Sequence, residues 1–466
     1  MSQFMEFWNE FKRDKSGLVG LGILILCILL VIFEPVITPF KEAGTKWRSI
    51  EYWQDNSQSA PPVWMNLFSK YKQAASADLH DFSKTVDSEG STIYQIKYNY
   101  QYDLAPYDLI IRATGTGTIP LTVSVIRPDK KTIELFTTSL HDLSENEEIR
   151  ISILNNARDA ALSFVRDFES EENLGNIQTM SAGVSEIIFS EAKPGFVQKQ
   201  EPLKGEYVFE IKVSQPLPEE GQELQKVQFD NPHISVVGRV SGLLGTDNSK
   251  RDIFSGIIAG LKWALLIGFF TSIISVFVGV FYGIITAYFG GKVDSAMMFF
   301  WDYFISLPVL PILIVASAIF KPSIWTLVGV LIVFSWAGSV KTVRSIALQI
   351  KEETFVEAAR ALGASHGRII FRHMAPILIP YSFASMALAV PGAIIYESTV
   401  SLLGLGDTTV VTWGQILNDA YQGQAMLTGL WWWIIPPGLA IAIIGMTFAF
   451  LGFALDRILH PKLQTR

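Results

Sequence analysis

A single cysteine, Cys27, occurs in 466 residues. That excludes an internal disulfide and a cysteine metal cluster. Cys27 lies in an apolar run and reads as a small packing residue rather than a redox centre. No G-x-x-x-x-G-K-[ST] segment is present, so the chain carries no ATP-hydrolysing phosphate loop of its own. No nucleophile–base constellation is legible either. His366 and His373 stand seven apart in a basic loop without a carboxylate cluster, which is a poor metal site. Positive charge is sparse where nucleic acid would need it. The formal charge is −7, and no basic patch is large enough for a nucleic-acid footprint. Residues 41–240 hold 20 Lys and Arg against 29 Asp and Glu, a balance of −9, so the remaining residues carry +2.

What the chain does have is apolar length. Hydrophobic residues make up 49% of it and come in long runs, which places it in the membrane class. Residues 1–16 set Phe4, Phe7, Trp8 and Phe11 at helical spacing ahead of Lys12, Arg13 and Lys15. This pattern predicts a helix lying in the membrane interface. Gly17–Pro39 is apolar apart from Glu34, long enough to cross a hydrocarbon core of about 30 Å. It is too long for a cleaved signal peptide, and Glu34-Pro35 ends it where small residues would be needed. Charge-free runs return at Trp263–Tyr288, Tyr303–Phe320, Ile324–Val340, Ile377–Tyr396 and Leu430–Leu455, giving six spans.

Loop charges orient them. The 341–373 loop carries Lys341, Arg344, Lys351, Arg360, Arg368 and Arg372, and the C-terminus carries Arg457, Lys462 and Arg466. Residues 397–430 contain no Lys or Arg. The positive-inside rule then puts both termini and the 341–373 loop in the cytoplasm, and residues 41–240 outside.

Residues 41–240 are polar, and none of their stretches could span a bilayer. Apolar and polar residues alternate over Asp108–Ala113, Leu121–Arg127, Thr132–Phe136 and Tyr207–Val213. Gly115-Thr-Gly117 and Arg127-Pro-Asp129 supply turns between them. The expectation is a β-rich extracellular domain, a sandwich, with a helix within Glu148–Phe168 and a Pro- and Gln-rich connector over 214–233.

The most informative stretch is Glu357–Pro380, EAARALGASHGRIIFRHMAPILIP. A run of good helix formers, Phe355 to Leu362, meets Gly363, a residue suited to a left-handed helix stop. A second short helical run follows, and Pro376 and Pro380 open the next apolar span. Chemistry by itself allows two readings: a docking loop with Glu357 presented to a basic partner, or an amphipathic loop lying on lipid headgroups.

EAA, three residues, then Gly, with Pro beyond, resembles the signature loop of ABC-importer permeases. Lys12–Phe40 resembles the first helix of the dipeptide/oligopeptide/nickel permeases. Leu244-Gly-Thr-Asp247 with Arg251-Asp252, Asp302–Pro308 (DYFISLP), Ile395–Gly406 with Trp413-Gly414, Trp431–Gly438 and Ala454–Leu463 resemble further segments of that family. The resemblance spans residues 1–40 and about 235–466. Lys250 replaces a glycine of the pattern, Gly256 an arginine, and Asp407–Thr412 a proline-rich stretch; these departures bear on the external partner and its substrate. Residues 41–240 have no counterpart.

The resemblance implies an α-helical membrane protein of six transmembrane helices with the type I ABC importer fold, into which the β-rich domain is inserted. The corresponding domains are 1–40, 41–240 and 241–466, with a coupling loop at about 351–376. It implies that Glu357, Ala358, Ala359, Gly363, Arg368 and Pro376 form the contact with an ATPase. Within the matched segments Asp302, Pro308, Glu397, Leu403, Gly404 and Gly406 are the candidates for the translocation path or its outer gate. Read by themselves, Asp302 is interfacial rather than a proton carrier, and Glu397 is placed at the outer interface, because intramembrane acids are rare. Trp431–Trp433 reads as an aromatic belt rather than a ligand cage.

The implied partners are a second homologous permease, two ABC ATPases holding ATP and Mg, an external solute-binding protein and a di- or oligopeptide substrate, in a plasma membrane. No cofactor belongs to this chain, and it is not an enzyme. Two alternatives stand beside this one: a same-fold importer of nickel chelates or oligosaccharides, and a membrane receptor or adhesion protein with a ligand-binding ectodomain. A mere anchor would have no use for the 351–376 loop.

Overall fold

The computed structural model describes residues 2–88, 90–143, 148–214 and 228–459. Two compact units emerge, Met1–Arg48 together with Phe254–Arg466, and Ser49–Ile253. Lys462, Arg466 and the end of the Ala454–Leu463 segment lie outside the described residues, as do residues 215–227 of the expected connector.

The chain begins with α1 (Ser2–Phe11) and α2 (Lys15–Ile32). Asp14 caps α2, accepting from Gly17 N at 2.9 Å and Ser16 Oγ at 2.5 Å. The carboxylate thus satisfies donors that a helix start leaves open. Gly17 and Gly20 let α2 lie close on the last helix. A Cβ at Gly17 would stand 2.7 Å from Ala454 Cβ, and one at Gly20 2.9 Å from Thr447 O. Without a hydrophobic drive between helices in lipid, such small-residue contacts are what bring backbones together.

The Ser49–Ile253 unit holds β1 (Ala77–Leu79), β2 (Ser83–Val86), β3 (Thr92–Tyr100), β4 (Asp108–Thr116), β5 (Thr118–Ile126), β6 (Thr132–His141), β7 (Ile149–Arg150), α3 (Asn155–Arg166), β8 (Gly205–Val213) and β9 (Gln228–Val237). They form two antiparallel sheets, ordered β1-β9-β4-β7 and β2-β3-β8-β5-β6. Alternation decides which face is buried. Ile119, Leu121, Val123 and Val125 of β5 and Tyr207, Phe209, Ile211 and Val213 of β8 point inward. They share one core with Leu109 and Ile111 of β4 and Ile234 and Val236 of β9, so the sheets make a sandwich. Arg127, fully buried, closes the turn after β5. It donates to the Ile187, Ile188 and Ser190 carbonyls and pairs with Asp129 at 3.1 Å.

The four strands expected from alternation are present, as is the helix within Glu148–Phe168. The connector needs correction. Residues 228–233 belong to β9, paired with β4, because Phe229 and Ile234 serve the core while Pro and Asn interrupt the pattern. β3 alternates as clearly as β5 and was legible in TIYQIKYNY.

The Leu244–Asp247 segment is tied into this unit. Asp247 and Arg251 form a buried pair at 2.5 Å, and Thr246 Oγ1 donates to Ser57 O at 2.6 Å. Lys250 adopts φ +66°, a conformation in which glycine is at ease, which accounts for the glycine of the family pattern.

The remaining helices are α4 (Ile253–Phe289), α5 (Gly291–Ile305), α6 (Val309–Ile319), α7 (Ile324–Ser335), α8 (Ala337–Lys351), α9 (Thr354–Ala361), α10 (Ala375–Leu402), α11 (Trp413–Gln422) and α12 (Trp431–Leu459). Five stretches are long and apolar enough to cross a membrane: α2, α4, α7 with α8, most of α10, and α12. The third expected span, Tyr303–Phe320, is not one helix. α5 and α6 meet at a bend of 74°, and counted as one broken span they make the sixth. The break falls at Ser306–Pro308. Pro308 lacks an N–H and crowds the preceding turn, whereas Pro311 sits in the first turn of α6, where proline is tolerated.

The aromatic belt also needs correction. Trp433 is wholly buried and Trp432 nearly so, inside the unit rather than at its rim.

Candidate functional site

The loop between α8 and α10 is built for a fixed shape. α9 ends in a paired hydrogen-bond stop. Gly363 N donates to Arg360 O and Ala364 N to Ala359 O, both at 3.0 Å, and Gly363 sits at φ +78°. This is a Schellman motif, and its left-handed residue is one where a Cβ is costly. Ser365 then caps the next helical turn, His366–Arg368, accepting from Arg368 N at 3.4 Å. Ile369–Met374 continues as a widened π turn into α10. The widening lies directly before Pro376, which has no N–H to give and whose ring crowds the carbonyl four residues back.

The inner face of this loop is anchored. Val356, Ile369, Ile370 and Met374 are buried in one cluster with Ile284, Ala287 and Tyr288 of α4 and Val343, Ala347 and Ile350 of α8. His366 Nδ1 lies 2.8 Å from Tyr288 Oη, and the Arg360 guanidinium stands 5.8 Å over the Tyr288 ring. Lys351 Nζ donates to Ala287 O at 3.2 Å, satisfying a carbonyl near the end of α4. The outer face is free of the cluster. Glu357, Ala358, Gly363, Arg368 and Pro376 are exposed, Ala359 is half-buried, and Leu362 is 88% exposed. A large apolar side chain held out at a rigid helix end is suited to a partner surface.

The opposite loop repeats the device. α10 ends with Gly404 N donating to Ser401 O at 2.9 Å and Leu405 N to Val400 O at 3.1 Å, with Gly404 at φ +80°. A Cβ at Gly406 would collide with Ser401 Oγ. Glu397 is buried, only 4% exposed, rather than at an outer interface. Its carboxylate accepts from Ser401 Oγ at 2.7 Å and Ser398 Oγ at 3.3 Å and is bonded to the Thr412 side chain. Three hydroxyls replace the water that would otherwise have kept the acid at the surface. Thr412 in turn caps α11 by accepting from Gln415 N, so Glu397 joins α10 to α11.

Between α4, the α5–α6 break, α7, α8 and α10 lies a cavity of about 800 Å³. Pro308 lines it, together with Thr271, Ser272, Ser275, Tyr381 and Tyr396. The buried hydroxyls of Thr271, Ser272, Ser275 and Ser339 have no hydrogen-bond partner among the described residues. Burying such groups unpaired is costly, so a polar occupant would gain four partners here. Glu397 and Gly406 line a second, much smaller cavity, and Leu403, Gly404 and Asp302 line neither. Asp302 is exposed, with Lys341 Nζ 3.8 Å away. The row of hydroxyls escaped the sequence reading. Its only trace there is Thr271, Ser272 and Ser275 recurring within one turn of an otherwise apolar span.

Two family models match. One, the binding-protein-dependent transport system inner membrane component, covers residues 279–465. The other, the N-terminal TM domain of oligopeptide transport permease C, covers residues 2–62. The dipeptide transport system permease protein DppC of Bacillus subtilis is 34% identical over 47% of this chain and 68% of its own length. The oligopeptide transport system permease protein OppC of Lactococcus lactis subsp. cremoris is 32% identical over 48% of this chain and 76% of its own. A solved chain of the MetNI methionine ABC transporter is 16% identical, with a TM-score of 0.34, over 45% of this chain and 97% of that one. Residues 63–278 fall outside both family models. With both ends of the membrane unit matched, the chain belongs to the family of binding-protein-dependent transport system inner membrane components, and is a permease subunit within it.

Proposed function

We propose that this chain forms half of the translocation path of an ATP-driven importer of di- and oligopeptides. A second, homologous permease supplies the other half. Two ABC ATPases, holding ATP and Mg, dock on the α8–α10 loop from the cytoplasm, where both termini also lie. A solute-binding protein delivers the peptide from outside, on the side of the Ser49–Ile253 unit. The permease names of the relatives support the substrate class.

The observation that carries this reading is the α9 loop. Its inner face is locked to α4 and α8, and it continues through the π turn into α10, while its outer face presents Glu357, Ala358 and Leu362. A push on α9 is therefore delivered to three membrane helices together. Two of them, α4 and α10, line the large cavity, as does the start of α8. ATPase closure would move the loops of the two permeases together and open the path outward, and hydrolysis would reset it inward. Drive requires that the peptide bind the two states with different affinity.

The test replaces Glu357 with Lys and, separately, Gly363 with Val. Glu357 is exposed, and a valine at φ +78° costs about 1–2 kcal/mol locally. Peptide uptake and substrate-stimulated ATPase activity should each fall at least about tenfold, a loss of about 1.4 kcal/mol or more, while membrane insertion is kept. Undiminished transport in both variants would refute the coupling role.

A further inference from the structure

A second large hollow lies away from the path. It holds about 400 Å³, within the range of small-molecule sites, and its lining is almost wholly apolar. Phe7, Trp8 and Phe11 of α1 close one end; Leu24, Phe383 and Phe448 are among the residues of α2, α10 and α12 that form its walls. The aromatic end is ordered. The Trp8 and Phe11 rings lie 5.9 Å apart and 9° from parallel, and Phe7 stands 6.0 Å from Phe11.

Positive charge sits at that end. Lys12 Nζ lies 5.3 Å over the Trp8 ring, which itself lines the hollow. Lys12, Arg13 and Lys15 are exposed, and none forms an ion pair among the described residues. The one acid beside them, Asp14, is committed to Ser16, Gly17 N and Arg457. The segment therefore offers three uncompensated cations beside an apolar slot.

We infer that this groove holds an acyl chain of an anionic phospholipid, whose headgroup phosphate meets Lys12 in the field of Arg13 and Lys15. In a bilayer an acyl chain gains nothing from the hydrophobic effect by leaving its neighbours, so retention must come from shape and charge. The groove supplies shape on several sides, and the cations supply charge where α1 meets the interface. Such a lipid would fasten α1 to α4, α10 and α12.

The test uses the transporter purified with its partner subunits and reconstituted in discs of phosphatidylglycerol or phosphatidylcholine. After exchange into detergent, native mass spectrometry should find about one phosphatidylglycerol retained per chain, and several-fold less phosphatidylcholine. Lys12→Gln should remove that preference, with Arg13 and Lys15 left to hold the orientation of α2. Ala387→Phe, which fills the groove from α10, should abolish retention of both lipids. No retained lipid in the unaltered chain, equal retention of the two lipids, or retention unchanged in both variants would overturn the inference. So would a cross-link from this groove to the second permease, since protein would then occupy it.

Discussion

At the scale of single residues, the acids separate by what replaces their water. Glu169 is buried beside a turn of the Ser49–Ile253 unit. Burial would raise its pKa, but the backbone N–H groups of Gly195, Val197 and Ser170 and the Asn173 amide all donate to it and bring it down to about 2. A depressed folded pKa adds stability above the unfolded value, and that contribution is lost as pH falls. The Ser49–Ile253 unit should therefore lose stability between about pH 4.5 and pH 2, followed by circular dichroism. Glu169→Ala should cost about 1–3 kcal/mol at neutral pH, by orphaning those donors, and should flatten that acid limb. An acid limb identical in the variant would refute the assignment. Glu397 illustrates what the sequence could not reveal. Its position in an apolar segment was plain, but its hydroxyl partners come partly from Thr412, fifteen residues on, and only the fold brings them together. Gly256 is a similar case. A Cβ there would stand 2.5 Å from the Trp47 ring, so the arginine of the family pattern has no room while Trp47 lies across it.

At the scale of elements, local chemistry was legible and long-range pairing was not. The α9 stop could be read from Gly363 because φ > 0 is a property of one residue, and the π turn follows from Pro376 by an equally local argument. The broken third span was half legible: proline marked a bend, but only the structure shows two helices at 74°. β9 was missed because its pattern carries Asn231 and Pro232, and pairing with β4 overrides that local signal. The α4–α8 crossing is the clearest case of packing invisible in one segment. A Cβ at Gly283 would lie 2.9 Å from Val343 Cγ1 and 3.0 Å from Val340 O, and one at Gly279 would collide with Trp336 O. This is a small-xxx-small contact. Gly283→Leu should part the two helices that carry the α9 cluster, costing about 1–3 kcal/mol. Thermal unfolding in detergent should show a lower midpoint, and uptake should fall with it. An unchanged midpoint would mean the crossing does not bear on stability.

At the scale of the whole chain, the question is why a permease carries a sandwich between its first two spans. Residues 63–278 lie outside both family models, so transport of this kind proceeds elsewhere without such a domain. The domain has its own core and is joined to the membrane unit at Arg48 and Phe254. Residues 41–240 carry the chain's acidity, a balance of −9, and they lead into the Leu244–Asp247 segment, where the resemblance places the external face. A negatively charged domain at the outer mouth would steer and hold a binding protein of complementary charge, raising its association rate most at low salt. Replacing residues 49–253 by a short Gly/Ser linker should then leave insertion of the membrane unit intact but weaken binding-protein affinity several-fold. The salt dependence of that affinity should flatten as well, since exposed charges are screened within about 10 Å at 0.1 M salt. Surface plasmon resonance on the reconstituted transporter over a range of sodium chloride concentrations measures both. Equal affinity and an equal salt slope with and without the domain would remove docking as its role and leave it a spacer or a stabiliser.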